Sequence, residues 1–200
     1  MRYLSHAESM RMFQRAFTRA GLHVAHSQGF NPHQRMSLVL PRSVGVVSDD
    51  EILCLQLEEG SEDFNVESLK KELPEGIEIV SARLGETKKV PEPSSARYII
   101  KIKPAVVGLG ERIAGILANE KIVIERRTGE DSRTKQVDVR PFLESISEQM
   151  GEIIVDCKIS PAGTIRVDEI LGLLHVGAGD LARPVKRAKV QWEGITANGF

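Results

Sequence analysis

Aromatic residues make up only 4% of this 200-residue chain, with one Trp, two Tyr and six Phe. A sheet that reads RNA by stacking bases on paired strand aromatics is therefore not expected. Cysteine is scarcer still. Cys54 and Cys157 stand alone, each inside an alternating apolar run, which excludes a disulfide framework and a cysteine-ligated zinc or iron–sulfur site and reads as two buried thiols in a reducing compartment. No stretch approaches the ~18 apolar residues of a membrane span, and the first residues are too polar for a secretory signal, so a cytoplasmic protein off the membrane is expected. No glycine-rich phosphate loop occurs, because Gly177-Ala178-Gly179 lacks the following helix and lysine. Net charge is −1 at pH 7, so nothing pulls the whole molecule toward nucleic acid.

What is present is unevenly spread. The first 42 residues carry six Arg against one acid, Glu8, whereas residues 43 to 100 carry thirteen acids against six bases. The same opening holds His6, His26 and His33 and the stretch Ser27-Gln28-Gly29-Phe30-Asn31-Pro32-His33. These are residues that a folding core does not require, and any functional site is expected among them.

Arg2 to Leu4 reads as a short strand. Ser5 and Glu8 have the spacing of a capping box, in which each side chain satisfies a free backbone donor of the other residue. A helix follows, with Met10, Phe13, Phe17 and Ala20 on its apolar face and Gly21 as the stop. Arg11, Arg15 and Arg19 recur every fourth residue, which places them in one stripe. Strands are expected at 22–27, 35–40, 51–57 and 77–84, a helix at 65–73, and a non-helical turn at 28–34, since Pro32 pushes Asn31 toward extended geometry. Merging the strands on either side of that turn gives βαββαβ, a ferredoxin-like unit. Residues 97–200 read as a second, less regular copy, with strands at 97–103, 121–127, 134–139, 153–159 and 185–192 and helices at 110–119, 142–150 and 166–174. The expected architecture is α+β, two ferredoxin-like subdomains at 1–86 and 97–200 joined by a linker at 87–96, with mainly antiparallel sheets and helices on one face.

Two kinds of chemistry suit the opening. A helix start lowers the pKa of a nearby histidine, so His6, together with His26 or His33 and Tyr3, has the makings of an acid–base pair for metal-free RNA cleavage. A structural role for such histidines is the more common one, and a metal held by His6, His26 and His33 matches no ligand spacing. Anion binding fits better. Arg11, Arg15, Arg19, Arg35 and Arg42 supply charge, the helix start and the turn supply backbone donors, and Phe30 offers a face to an unpaired base. Further basic groups lie at Arg126, Arg127, Arg133, Lys135 and Arg140 and at Lys186, Arg187 and Lys189.

Arg2 to His6, Met10-Arg11, Arg19 to Gly21, Ser27 to His33 and Leu40-Pro41 closely resemble the bacterial family of radical SAM-linked proteins, a domain of unknown function. The resemblance continues through Leu73 to Ile77, Val137 to Pro141 and Gly163 to Glu169. It departs at Ala7-Glu8, at Gln34 in place of a second proline, and in a first strand that starts close to Met1, as a truncated start would. The family implies a partner role beside a radical SAM enzyme, on RNA such as tRNA or rRNA or on another substrate. No Cys-x-x-x-Cys-x-x-Cys is present to hold that enzyme's cluster, and no cofactor is expected. The leading expectation is an accessory protein that binds RNA or another phosphate-bearing substrate through Tyr3, Arg11, Arg15, Arg19, His26, Phe30, Asn31 and Arg35. The alternatives are a metal-independent ribonuclease using His6 and His33, and a protein adaptor with an acidic face at 49–63.

Overall fold

The computed structural model describes residues 2–61, 63–85, 90–128 and 133–194. In chain order they form α1 (His6–Ala20), β1 (Met36–Leu38), β2 (Val47–Ser48), β3 (Leu53–Leu55), α2 (Val66–Glu72), β4 (Glu92–Lys101), α3 (Leu109–Ala118), β5 (Val123–Thr128), β6 (Arg133–Asp138), β7 (Leu143–Gln149), β8 (Glu152–Lys158), α4 (Val167–Leu173) and β9 (Lys186–Glu193). The described residues make a mixed α/β fold with four helices and mostly antiparallel sheets. Two compact units divide it, one from 1–44, 51–92 and 193–200, the other from 45–50 and 93–192.

The first unit is built on α1. Ser5 Oγ accepts from Glu8 N–H and Glu8 Oε2 accepts from Ser5 N–H at 2.8 Å, so the expected capping box forms. At the other end Gly21 adopts φ 71° and donates to Phe17 and Thr18 carbonyls, a conformation that a Cβ would oppose. The apolar stripe of α1 buries Ala16 and Phe17 against Leu22, Val24 and Leu69, with Phe13, Met36, Leu53, Leu55, Leu57, Phe64 and Leu73 packed around them. Strands here are short. β1 pairs antiparallel with β3, and single bridges join Val24 to Leu57 and His26 to Gln34. Neither 2–4 nor 77–84 forms a strand. Alternation alone does not make a strand, which forms only where a neighbour takes its backbone groups.

The second unit holds a five-stranded sheet in the order β2-β9-β4-β8-β7 and a separate β5–β6 hairpin. Ile100, Ile153, Val155 and Cys157 fill its core with Ile113, Ile116, Ile170 and Leu174 from the helical segments. β4 starts at Glu92, inside the stretch 87–96 expected as a linker; residues 87–89 of that stretch lie outside the described residues, as does Met1. The helix expected at 142–150 is the strand β7. Its buried residues Leu143 and Ile146 stand three apart, which imitates a helical period, but a bulge between Leu143 and Ser145 produces that spacing by inserting one residue.

β2 was not expected. It runs parallel to β9, with Val47 N–H on Val185 O at 2.9 Å and Asp49 N–H on Arg187 O at 3.1 Å. Val46 enters the core, Lys186 pairs with Asp49, and Asp50 accepts from Val190 N–H at 2.8 Å and Trp192 Nε1–H at 3.0 Å.

Candidate functional site

Three backbone segments of the first unit meet at one junction. Ala25 N–H donates to Gln56 O at 2.8 Å, Gln56 N–H to Arg35 O at 2.9 Å, and Arg35 N–H to Ala25 O at 2.7 Å, which closes a ring through all three. Side-chain pairs brace the same place. Arg35 Nη1 donates to Gln56 Oε1 at 3.0 Å, and His26 Nδ1 lies 3.8 Å from Glu58 Oε1, both side chains about half exposed.

The 27–33 stretch springs from this junction as a closed loop. Ser27 N–H donates to His33 O at 2.8 Å and His33 N–H to Ser27 Oγ at 3.0 Å. Gly29 takes φ 128°, a value open to glycine and strained for other residues. With its neck tied and Pro32 rigid, the loop holds Phe30 fully in solvent, flanked by exposed Asn31 and His33. At the neck, Gln34 Oε1 is buried without a hydrogen-bond donor, the one such side-chain atom among the described residues.

The arginine stripe divides in two. Arg19 Nε donates to Glu72 Oε2 at 2.7 Å and its Nη2 to Glu72 O at 2.8 Å, so it caps the end of α2 and ties the two helices. Arg11 and Arg15 stay exposed and have no hydrogen-bonded acid among the described residues. They line a shallow depression of ≈ 460 Å³ on α1 with Gln14, Thr18 and Arg19. Arg11 helps hold Glu8 below the usual carboxylate range, after the two hydrogen bonds from Ser5 that dominate the effect.

His6 is exposed at the start of α1, and neither its side chain nor that of His33 makes a hydrogen bond or ion pair among the described residues. Tyr3 is 68% exposed with the Arg2 guanidinium 4.7 Å above its ring. No group of three or more His, Cys, Asp or Glu among the described residues has the geometry to hold a metal ion. Of the expected residues, His26 and Arg35 come together at the junction. Gln56 and Glu58, their partners, went unrecognised in the sequence; the signal was Gln56 interrupting the apolar run of the expected strand at 51–57, with Glu58 just beyond its end.

Several basic groups of the second half serve the fold, whereas Arg127, Lys135 and Lys189 are exposed. Arg126 clasps Glu169 through Nε at 2.7 Å and Nη2 at 2.8 Å and also reaches Thr164 O at 2.6 Å, with both side chains largely buried. This bond raises the Arg126 pKa, against the opposing effect of burial. Arg140 donates to Asn119 O and Leu143 O at 3.0 Å each, and Asp138 accepts from Ile122 and Arg140 N–H. A Cβ at Gly163 would lie 3.4 Å from the Phe142 ring, and Arg187 is 2% exposed. The Val137–Pro141 and Gly163–Glu169 motifs are thus accounted for by packing. Burial pushes the Cys157 thiol up to about 12 and raises that of the partly buried Cys54. No helix among the described residues is long and apolar enough to cross a membrane.

Residues 1–171 match a family model described as an uncharacterized protein conserved in bacteria, DUF2344. Neither a curated protein nor a solved structure matches the chain significantly.

Proposed function

The chain belongs to this DUF2344 family of uncharacterized bacterial proteins, and from that membership and the geometry of its first unit we propose that it binds a phosphate-bearing ligand, RNA foremost. One observation carries the reading. Arg19, Arg126 and Arg140 are each hydrogen-bonded into the fold, whereas Arg11 and Arg15 stand exposed side by side on α1 with no hydrogen-bonded acid among the described residues. A guanidinium left in that state is a forked donor for phosphate oxygens. The expected result is tRNA or rRNA-fragment binding that weakens steeply with salt and falls on Arg15→Ala. Salt-insensitive or absent binding would exclude it.

Within this reading the protein is a cytoplasmic accessory partner of a radical SAM enzyme. The support is the resemblance in the opening motifs, and failure of the two proteins to co-purify would count against it. The second unit fits a ferredoxin-like unit with an inserted hairpin. Taking β4, β7, β8 and β9 as its four strands, the spatial order β9-β4-β8-β7 is 4-1-3-2, and α3 and α4 fall between the right strands.

A second reading, metal-independent RNA cleavage, gains from one contact. Glu58 Oε1 lies 3.8 Å from His26 Nδ1, a carboxylate beside an imidazole but beyond hydrogen-bond distance. His33 or His6 would supply the other group. Cleavage of an RNA pool that persists in His26→Ala, His33→Ala and His6→Ala would exclude it.

A further inference from the structure

The loop from Ser27 to His33 presents an apolar side chain where the fold gains nothing from it. Phe30 is 107% exposed, as open to water as in an extended chain. Burying such a ring is favourable in proportion to the apolar area removed from water, so a Phe held in water is unused binding energy. The loop is also stiff at its base. Two cross-loop hydrogen bonds tie its neck, and the three-way backbone ring at Ala25, Arg35 and Gln56 anchors it. A ring presented on a pre-ordered support loses little further freedom on binding.

Resting on the RNA reading above, we propose that Phe30 is a stacking finger for an unpaired base, and that the ligand is therefore a single-stranded RNA segment. Charge in the same unit favours that occupant over a protein pocket. Arg11 and Arg15 are exposed on α1, and Arg35, at the foot of the loop, is held by Gln56 in a defined orientation. A duplex keeps its bases stacked inside and offers Phe30 no free face; a single strand offers every base. The scarcity of aromatics does not conflict with this, because one finger reads one nucleotide and a strand-borne pair is not needed.

The test uses the full chain and two probes of matched length, oligouridine and an RNA duplex. Oligouridine should bind more tightly than the duplex. Phe30→Ala should weaken oligouridine binding by about 5- to 150-fold, the range one base–aromatic stack supplies, and leave duplex binding unchanged. Phe30→Trp should restore binding, and its added fluorescence, read against the parent's Trp192, should be quenched on titration. Arg15→Ala should weaken both probes. Because Phe30 packs on nothing, the variants should melt like the parent, and circular dichroism checks this. Single-strand binding that survives Phe30→Ala, or equal affinity for both probes, overturns the finger and leaves the RNA reading standing. Absence of binding to either probe overturns both. Loss of a co-purifying protein on Phe30→Ala with RNA affinity intact assigns the ring to a protein pocket and overturns the finger.

Discussion

The clearest contrast among single residues is between arginines that hold the fold and arginines that do not. Arg126 and Glu169 form a largely buried two-point pair, and Glu169 also accepts from Arg166 N–H at 2.7 Å. Removing one member leaves a desolvated charge, so Glu169→Ala should destabilise the second unit by about 3–5 kcal/mol in urea melts, whereas the paired change Arg126→Met with Glu169→Leu should cost much less. Asp156 offers a pH test. Its pKa is lowered first by the hydrogen bond from Arg97, against the opposing effect of burial, with help from Ser145 and the Arg97 charge. A depressed carboxylate stabilises the fold above its ordinary value near 3.8 and loses that contribution as pH falls through the folded-state value. Because Arg97 is half exposed, the contribution is at most about 1 kcal/mol. Asp156→Asn should narrow the stability difference between pH 6 and pH 2 in thermal melts, and an unchanged difference would mean the pair is idle. His26, by contrast, was legible as a candidate while its partner Glu58 was not, since contact between residues 32 positions apart depends on strand pairing.

Among elements, α1 was the easiest to read because its signals are local: a cap within three residues, an apolar stripe and a terminal glycine. β7 was misread because a bulge gave a strand the spacing of a helix. The turn after it carries its own test. Met150 and Gly151 take φ 51° and 75° between paired Gln149 and Glu152, a two-residue hairpin turn with both central residues left-handed. That conformation costs a non-glycine residue about 1–2 kcal/mol, and Asn tolerates it better than Met. Met150 is fully exposed and loses no packing when changed. Met150→Asn should therefore raise stability by about 0.5–1 kcal/mol; a lower melting temperature would show that the side chain has a contact in solution.

For the whole molecule, the unexpected feature is the excursion of residues 45–50 into the second unit's sheet. Asp50 is its lock, since one carboxylate takes both Val190 N–H and the Trp192 indole. Asp50→Ala should cost about 2 kcal/mol, the scale of hydrogen bonds to a charged group. The chain's one tryptophan reports on it directly, and its emission should shift to longer wavelength as the indole loses its partner. No periodicity marks a two-residue strand, and a parallel partner more than a hundred residues away leaves no local trace.

What the sequence determined by itself was whatever acts over one or two turns of chain: the cap and stop of α1, the loop-forming Gly29 and Pro32, and the concentration of arginine and histidine in the opening. Tertiary structure alone decided which of those charged groups are consumed. Arg19 finds Glu72, Arg126 finds Glu169 and Arg140 finds two carbonyls, while Arg11, Arg15 and Phe30 are left to solvent. The reason is physical: residue type sets what a side chain is able to bind, but only the packed chain brings, or fails to bring, a partner within 3 Å of it.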